Sequence, residues 1–304
     1  MLVLVTGGAG FIGSHTVDAL LAFGARVRVL DDLSTGSLKN LPTQHASLEF
    51  VQGDVRDEAC VVNCMHGITH VLHLAAQVSV PISIQQPELS HSVNVAGYLN
   101  VLNAARKIGA KRIVHASSAA VYGVPVKLPL TEDSPASPLS PYGLEKMVND
   151  QYAQLFNELY GLSTLGLRYF NVYGPRQDPR SHYSGVISKF AAWALEGSPF
   201  TVYGDGMQTR DFIYVKDVAQ ANISALLSRS IGTINVATGH SVTLLEMVQI
   251  FSSCVGHPIE VNKVSAREGD VPCSSVTPLR MQSELAVTDT VRLNVGIAQL
   301  LTKS

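Results

Sequence analysis

The feature that most constrains the fold is a glycine-rich turn near the N-terminus, between an apolar run and a helical segment. The run is LVLVT, and the turn and helix start read GGAGFIGSH. Gly8, Gly10 and Gly13 satisfy G-x-G-x-x-G, while Gly7, Gly10 and Gly13 satisfy the related G-x-x-G-x-x-G. Glycine is required because the turn is tight, the backbone must approach a pyrophosphate, and the helix must pack close to the strand. The turn therefore predicts a dinucleotide site at the start of a helix.

Short apolar or β-branched runs alternate with segments of helical periodicity through the first 175 residues. The runs are LVLVTG, RVRVLD, LEFVQGD, THVLHLA, KRIVHASS and STLGLRYFN. Such alternation is typical of an α/β fold, here a Rossmann-type doubly wound parallel sheet with helices on both faces. The pattern becomes less regular beyond that point, which predicts a dinucleotide-binding domain over 1–175 and a smaller α+β substrate-binding lobe over 176–304, with some of its segments returning to the first domain.

An acidic residue ends the second predicted strand. Asp31 follows RVRVL, and a carboxylate at this place accepts hydrogen bonds from both ribose hydroxyls and repels a 2′-phosphate. The predicted cofactor is therefore NAD, not NADP. Asp54 follows the third strand in QGDVRD, where it is placed to meet the adenine.

A tyrosine and a lysine four residues apart, in SPYGLEK, share one face of a predicted helix. A free phenol has a pKa of about 10 and is a poor base at neutral pH, but an ammonium one turn away favours the phenolate. Tyr142 and Lys146 are thus candidate base and cation for oxidising an alcohol. Ser118, at the end of the fifth predicted strand, can hydrogen-bond the same substrate oxygen. The alternative is an exposed tyrosine beside a solvated lysine.

Charge and hydropathy exclude other classes of function. The chain has 304 residues, 22 basic and 24 acidic, with a net charge of −2 and no basic block that would follow a nucleic-acid backbone. Its apolar runs are too short for a membrane span or a signal peptide. We expect no nucleic-acid or membrane partner, and we expect an anionic ligand to be held by a few placed groups.

The cysteines and histidines indicate neither disulfides nor a metal. Four cysteines in 304 residues are too few for a disulfide framework, which favours a cytoplasmic protein. Cys60, Cys64, His66, His70 and His73 cluster in sequence, but their spacing fits no zinc pattern and His73 lies in the apolar run VLHLAA. We predict no metal site.

Several motifs, in order and at familiar spacing from residue 3 to about 272, resemble those of one superfamily. They read TGGAGFIGSH, DDLSTG, GDVRD, HLAAQ, SSAAVYG, SPYGLEK, LRYFNVYGPRQ, GDGMQTRDFIYVKDVA and REGDV. The chain resembles the extended short-chain dehydrogenase/reductases, and within them the NAD-dependent nucleotide-sugar epimerases. This resemblance implies epimerisation of a UDP-sugar at C4 through a transient 4-keto sugar, with UDP-glucose and UDP-galactose as the exchanged pair.

Two alanines distinguish among the activities of this superfamily. In the sugar 4,6-dehydratases, an acidic pair follows the strand-end Ser or Thr, whereas this chain has Ala119 and Ala120, which cannot move a proton. Three alternatives stay open: a nucleotide-sugar dehydrogenase or reductase, a UDP-glucuronate 4-epimerase, and a non-catalytic NAD-binding sensor.

The resemblance also implies a set of site residues. The catalytic residues are Ser118, Tyr142 and Lys146. The implied cofactor-binding residues are Gly7, Gly10, Phe11, Ile12, Gly13, Asp31, Asp32, Asp54, Val55, Leu74, Ala75, Ala76, Asn94, Tyr142, Lys146 and Tyr169. The implied substrate-binding residues are Ser118, Tyr142, Phe170, Asn171, Val186, Tyr203, Arg210, Arg267, Asp270 and Ser274.

Within that set, Arg210 and Arg267 are expected to clamp the diphosphate, because a guanidinium fork matches phosphate oxygens. The alternative is that they form surface salt bridges with Asp211 and Glu268. Ser274 stands where epimerases that reject N-acetylated sugars tend to have a tyrosine, so we expect UDP-N-acetylglucosamine to be accepted as well.

Two helices, 90–107 and 143–160, would pair across a two-fold axis in relatives of this kind. The resemblance therefore implies a homodimer.

Overall fold

A computed structural model describes residues 1–179, 185–266 and 273–302. The strands are β1 (Leu2–Thr6), β2 (Arg26–Asp31), β3 (Leu48–Gln52), β4 (His70–His73), β5 (Arg112–Ser118), β6 (Thr164–Tyr169), β7 (Asn171–Tyr173), β8 (Phe200–Tyr203), β9 (Thr209–Tyr214), β10 (Gly232–Val236), β11 (Ser241–Thr243) and β12 (Val261–Val264). The α-helices are α1 (Phe11–Ala22), α2 (Glu58–Cys64), α3 (Val80–Gln85), α4 (Pro87–His91), α5 (Gly97–Lys107), α6 (Pro141–Tyr160), α7 (Val186–Glu196), α8 (Val215–Leu227), α9 (Leu244–Val255), α10 (Leu279–Leu285) and α11 (Leu293–Leu301). Short 3₁₀ turns lie at Leu38–Asn40 and Ala119–Val121, and a π-helical turn at Ser92–Ala96 joins α4 to α5.

A seven-stranded sheet forms the centre of the molecule, in the order β10-β6-β5-β4-β1-β2-β3. All of its neighbouring strands are parallel. The chain winds outward from β1 in one direction through β2 and β3, and in the other through β4, β5 and β6, so the order reverses between β1 and β4. This is the doubly wound topology predicted from the sequence, and the fold class is confirmed.

The sheet is buried on both faces, which explains why its strands read as continuous apolar runs. Every residue of β6 is buried. One face packs against α1 and α8, with Val17, Leu20 and Val218 fully buried. The other face packs against α2, α5 and α6, and its core includes Tyr98 and Phe156.

A second lobe contains two small sheets. β9 lies between parallel β7 and antiparallel β11, and β8 pairs with β12. Helices α7, α9 and α11 pack on them around an aromatic group in which the Phe190 and Phe200 rings stack with centroids 4.2 Å apart and Phe251 meets Phe200 edge-on at 5.4 Å. This lobe has its own core.

Two elements from late in the chain belong with the large sheet. β10 pairs with β6 at the edge of the sheet, and α8 lies beside α1 on one face. The division of the chain at residue 175 stays a prediction, and we propose that α8 and β10 be assigned to the dinucleotide-binding lobe. Within the described ranges, every helix is too short or too polar to span a bilayer.

Candidate active site

The carboxyl ends of the parallel strands open into one cleft of about 1100 Å³, which continues into the second lobe. Ligands of doubly wound sheets bind at this edge, where the strand order reverses. Nearly all of the predicted site residues that are described line it: Gly7, Gly10, Phe11, Ile12, Gly13, Asp31, Asp32, Asp54, Val55, Leu74, Ala75, Ala76, Ser118, Tyr142, Lys146, Tyr169, Phe170, Asn171, Val186, Tyr203 and Arg210.

The glycine turn forms a cradle at one end of the cleft. Gly7 has φ +69°, and a Cβ there would lie 2.7 Å from the backbone nitrogen of Ala75. A Cβ on Gly13 would lie 2.1 Å from the carbonyl oxygen of Gly7. Gly10 precedes the first turn of α1, no described side chain caps that helix start, and the residues of this turn line the cleft. This arrangement fits a bound pyrophosphate.

Asp31 lies at the end of β2 beside this cradle. Its carboxylate accepts backbone hydrogen bonds from Ala9 at 2.9 Å and from Leu33 at 2.9 Å. Burial raises the pKa of the Asp31 carboxyl, and these two hydrogen bonds oppose the rise. The main chain thus fixes the orientation of the acid, and its remaining lone pairs can receive ribose hydroxyls.

Asp54, which was predicted to meet the adenine, forms an ion pair with Arg56. The Arg56 Nε atom lies 2.8 Å from Asp54 Oδ2, and this guanidinium lowers the pKa of the Asp54 carboxyl. Arg56 lines the cleft too. No pattern in the sequence pointed to Arg56 beyond its place in GDVRD.

The catalytic candidates meet where β5 ends. Ser140 caps α6 by accepting a hydrogen bond from the Gly143 amide, so the helix starts just before Tyr142. The Tyr142 and Ser118 side chains share a hydrogen bond. The Lys146 Nζ atom donates to the Ala116 carbonyl at 2.9 Å and lies 5.7 Å from the centre of the Tyr142 ring.

Burial controls the protonation of this pair. It raises the pKa of the Tyr142 phenol, and the hydrogen bond from Ser118 acts against that rise. It lowers the pKa of Lys146 to about 8, against the attraction of Asp150 and Glu145. In the protein alone, burial therefore dominates the Tyr142 pKa, and a lowering of that pKa by Lys146 stays a prediction.

Asn94 lies behind the cleft wall, not in it. It was predicted to bind the cofactor, but its side chain is fully buried and pairs with both main-chain groups of Gln77. The carbonyl oxygen and the NH₂ group of the Asn94 side chain are already hydrogen-bonded within the protein, which leaves no N–H group for a cofactor. Gln77 itself lines the cleft.

On the substrate side, Arg210 lines the cleft from β9. The alternative pairing with Asp211 is wrong, because Asp211 is fully buried and its carboxylate accepts hydrogen bonds from Thr238 and Gly239. Successive side chains of a strand point to opposite faces of the sheet, so the side chains of Arg210 and Asp211 lie on different faces.

Ser274 lies next to this strand without lining the cleft among the described residues. Its amide donates to the Thr209 carbonyl at 3.2 Å, and its carbonyl accepts from Ser241 at 2.6 Å. Arg267 and Asp270 lie outside the described residues, as does Glu268, the alternative partner of Arg267.

Sequence reasoning missed several polar and aromatic residues of the wall. They come from loops, from the end of β5 and from α7, whose helical period gives no sign of which side faces a ligand: Gln77, Ser117, Gln177, Lys189, Phe190, Trp193 and Gln208.

No cluster of metal-ligating side chains occurs among the described residues. His73 is buried in β4 as predicted, with its Nδ1 atom 2.8 Å from the Thr6 hydroxyl.

The sequence matches a model of a known protein family and the sequences of characterised proteins. The model of the NAD dependent epimerase/dehydratase family matches residues 3–237. The chain belongs to this family. It is 38% identical to the UDP-glucose 4-epimerase of Mycolicibacterium smegmatis, over 98% of this chain and 97% of that protein.

Solved structures agree over nearly the whole length. A UDP-N-acetylglucosamine 4-epimerase from Methanobrevibacter ruminantium, in complex with UDP-N-acetylmuramic acid, superposes with a TM-score of 0.95 at 38% identity, covering 98% of this chain and 96% of that one. The Thermus thermophilus UDP-glucose 4-epimerase in complex with NAD gives a TM-score of 0.90 at 41% identity, covering 99% and 98%.

Proposed function

We propose that this chain is an isomerase that epimerises a UDP-sugar at C4 through a transient 4-keto sugar, with NAD as its resident cofactor. The observation that carries the proposal is the placement of Tyr142, hydrogen-bonded to Ser118 and beside Lys146, in the same cleft as the glycine cradle. UDP-sugar epimerases of nearly the same length and fold support it.

The cofactor site fits NAD by its own chemistry. Gly7, Gly10 and Gly13 would hold the diphosphate on the start of α1, and Asp31 would hold the adenosine ribose. When bound, NAD supplies reversible two-electron oxidation of a carbinol carbon. Because oxidation and reduction occur at the same carbon, net redox is zero, and NAD should stay with the protein through the cycle.

The protein's own groups handle the proton. The Tyr142 phenol, as phenolate, would accept the proton of the sugar 4-hydroxyl and return it in the second half-reaction. Ser118 would hydrogen-bond the same oxygen, and the Lys146 ammonium would stabilise the phenolate. Lys146 is buried and Tyr142 and Ser118 are half-buried in the cleft wall, so a bound substrate would leave little room for competing water at this transfer.

The residues after Ser118 favour epimerisation over dehydration. Ala119, Ala120 and Val121 form a 3₁₀ turn whose start is fixed by the Ser118 hydroxyl, which accepts from the Ala120 amide at 3.1 Å. Methyl side chains at these positions cannot act as the additional acid and base that expulsion of water requires.

For the substrate, we propose that Phe170, Asn171, Val186 and Tyr203 line the uridine and sugar positions and that Arg210 binds the diphosphate. Support comes from their common place in the cleft wall. A serine at position 274 leaves room near β9, and we extend the proposed substrates to UDP-N-acetylglucosamine and UDP-N-acetylgalactosamine.

A homodimer is part of the proposal. Leu144, Leu155 and Leu159 on α6 are 48%, 46% and 67% exposed, an unusual amount of apolar surface on one helix. Pairing of α6 and the α4–α5 segment with a second copy would cover it, and sedimentation velocity would give the mass. We also propose a cytoplasmic location, in keeping with four free thiols.

The deciding experiment is incubation of purified protein, without added cofactor, with UDP-glucose, UDP-N-acetylglucosamine and UDP-glucuronate in turn, followed by chromatographic separation of the 4-epimers. We expect the first two to be interconverted and NAD to be released on denaturation. Turnover of UDP-glucuronate alone would make the chain a uronate epimerase, dependence on added NADH would make it a reductase, and absence of all turnover would favour an NAD sensor.

Substrate range has its own test. Ser274→Tyr should lower kcat/KM for UDP-N-acetylglucosamine by about tenfold or more and leave UDP-glucose within about threefold, because the ring would occupy the acetamido space. Equal losses for both sugars would contradict this, and Ser274→Ala is the matched control.

A further inference from the structure

A buried carboxylate lies directly behind the catalytic candidates. Glu145 precedes Lys146 on α6 and is only 5% exposed. Its Oε2 atom accepts two hydrogen bonds, from the Ser90 hydroxyl at 2.7 Å and from the Asn94 amide at 2.7 Å. A buried carboxyl group is costly to desolvate, and both of its described hydrogen bonds here end on one oxygen. A glutamate at this position therefore calls for an explanation beyond packing.

Asn94 links Glu145 to the cleft wall, because it is hydrogen-bonded to both Glu145 and Gln77. Its Oδ1 atom accepts from the Gln77 amide at 2.8 Å, and its Nδ2 atom donates to the Gln77 carbonyl at 2.9 Å. The side chain thus pairs with the main chain as a neighbouring strand would. Gln77 follows Leu74, Ala75 and Ala76, the segment that leaves β4 along the predicted cofactor site.

Beyond residue 75, where the Thr6 hydroxyl accepts from the Ala75 amide at 3.3 Å, the segment held in this way has few other described hydrogen bonds. It lies between β4 and the start of α3, where Ser79 caps the helix and its amide bonds to the Gln77 side chain. Asn94 itself lies in the π-helical turn, where the ordinary helix ladder is interrupted. One carboxylate on α6 therefore connects the catalytic helix, α4, the π-helical turn and the loop after β4.

We propose that Glu145 is a positioning residue, whose carboxylate holds Asn94 and through it the main chain of Gln77 in the register that catalysis requires. The inference rests on the proposed function. Misplacement of reacting groups by about 1 Å can cost a hundredfold in rate, so a loosened wall should appear in kcat before it appears in binding.

The test compares Glu145→Ala with Glu145→Gln in the full-length protein. Both hydrogen bonds end on one oxygen, so the glutamine carbonyl can accept both while the charge is lost. We expect Glu145→Ala to lower kcat for UDP-glucose by about ten- to hundredfold with KM within about threefold, and Glu145→Gln to keep kcat within about threefold.

A second readout does not depend on activity. Hydrogen exchange over residues 74–79 should report the Gln77 amide, whose partner is Asn94. We expect that amide to exchange about tenfold faster or more in Glu145→Ala and at the wild-type rate in Glu145→Gln. If wild-type protein turned over no UDP-sugar, the proposed function would fail while exchange still tested the role of Glu145.

The matched control is Asp217→Asn. Asp217 is likewise a buried carboxylate, but it accepts from the Val291 amide at 2.8 Å, away from the cleft. We expect its kcat to stay near the wild-type value. Should Glu145→Ala not fold, Glu145→Asp withdraws the oxygen from Asn94 and should show the same losses.

Three results would overturn the inference. They are wild-type kcat and exchange in Glu145→Ala, a Glu145→Gln variant as impaired as Glu145→Ala, and an Asp217→Asn variant with an equal loss of kcat.

Discussion

The two halves of the cleft are built by different means. The cofactor half lies along the ends of strands in one parallel sheet, and its contacts come from glycines, backbone amides and an acid that the main chain fixes in place. The substrate half lies between lobes, and its wall comes from α7, β8, β9 and the loop after β7. The first half is specified locally, whereas the second depends on the packing of distant segments.

This difference predicts which changes are tolerated. The cofactor half is made of backbone groups and glycines. An added Cβ there would overlap main-chain atoms, so the backbone would have to move. A site made of side chains on separate elements can lose one contact and keep the others. Variants in the two halves should therefore fail in different ways, one by losing the cofactor and the other by raising KM.

The largest effect is expected from Gly13→Ala. The new Cβ would lie 2.1 Å from the Gly7 carbonyl oxygen, so the turn must open. We expect protein that carries no NAD and shows no turnover, measured by the nucleotide released on denaturation. Gly24→Ala, at the other end of α1, is the control: it has φ +85° and nothing within 4 Å, so it should cost about 1 kcal/mol of stability and keep NAD. Full NAD content in Gly13→Ala would contradict the claim that the cofactor half cannot accommodate a side chain.

Tyr142→Phe should keep NAD and lose turnover. Removing a positioned acid–base group costs about 10²- to 10⁴-fold, and we expect that loss in kcat for UDP-glucose. Tyr152→Phe changes the same kind of group on the same helix, away from the cleft, and should be near wild type. Retained activity in Tyr142→Phe would mean that another group moves the proton.

Arg210→Gln tests the substrate half. A hydrogen bond to a charged group contributes about 1.5–3 kcal/mol, which corresponds to a KM increase of about ten- to hundredfold with NAD content unchanged. Arg229→Gln on the exposed surface beyond α8 is the matched control and should leave KM unchanged. A fall in NAD content would show that the two halves are not separable at this position.

The smallest effect concerns stability. The pKa of Lys146 is about 8 in the folded protein and 10.5 for an ordinary lysine, so between these values the unfolded chain binds more protons and stability rises with pH. Below pH 8 the burial penalty is complete. Lys146→Met should therefore be inactive but more stable than wild type at pH 7, by about 1–2 kcal/mol after loss of the Ala116 hydrogen bond.

Urea unfolding at pH 7 and pH 9.5 measures that difference, which should shrink at the higher pH. Lys107→Met removes an exposed lysine that lies 3.5 Å from Glu58 and should change stability by less than about 1 kcal/mol at either pH. If the stability gained in Lys146→Met did not change with pH, the lowered pKa of Lys146 would be contradicted.

The same contrast explains how much the sequence could predict. The glycine turn, Asp31 and the Tyr142–Lys146 pair follow from strand, turn and helix periods, and each was placed correctly at the cleft. Asn94 was expected to contact the cofactor because no local pattern distinguishes a wall residue from the residue that supports it. Gln177 and Lys189 were missed for a related reason, since their exposure to the cleft depends on how the loop after β7 and α7 pack within the second lobe.

The position of β10 has a consequence for synthesis. The strand that completes the edge of the large sheet comes from residues 232–236, after β7, α7, β8 and β9 of the second lobe have been made. Until then β6, buried along its whole length in the finished protein, keeps an unpaired edge. A nascent chain that has left the ribosome only as far as residue 175 is therefore an aggregation-prone intermediate, and truncation at that point should give insoluble protein, not an independent nucleotide-binding module.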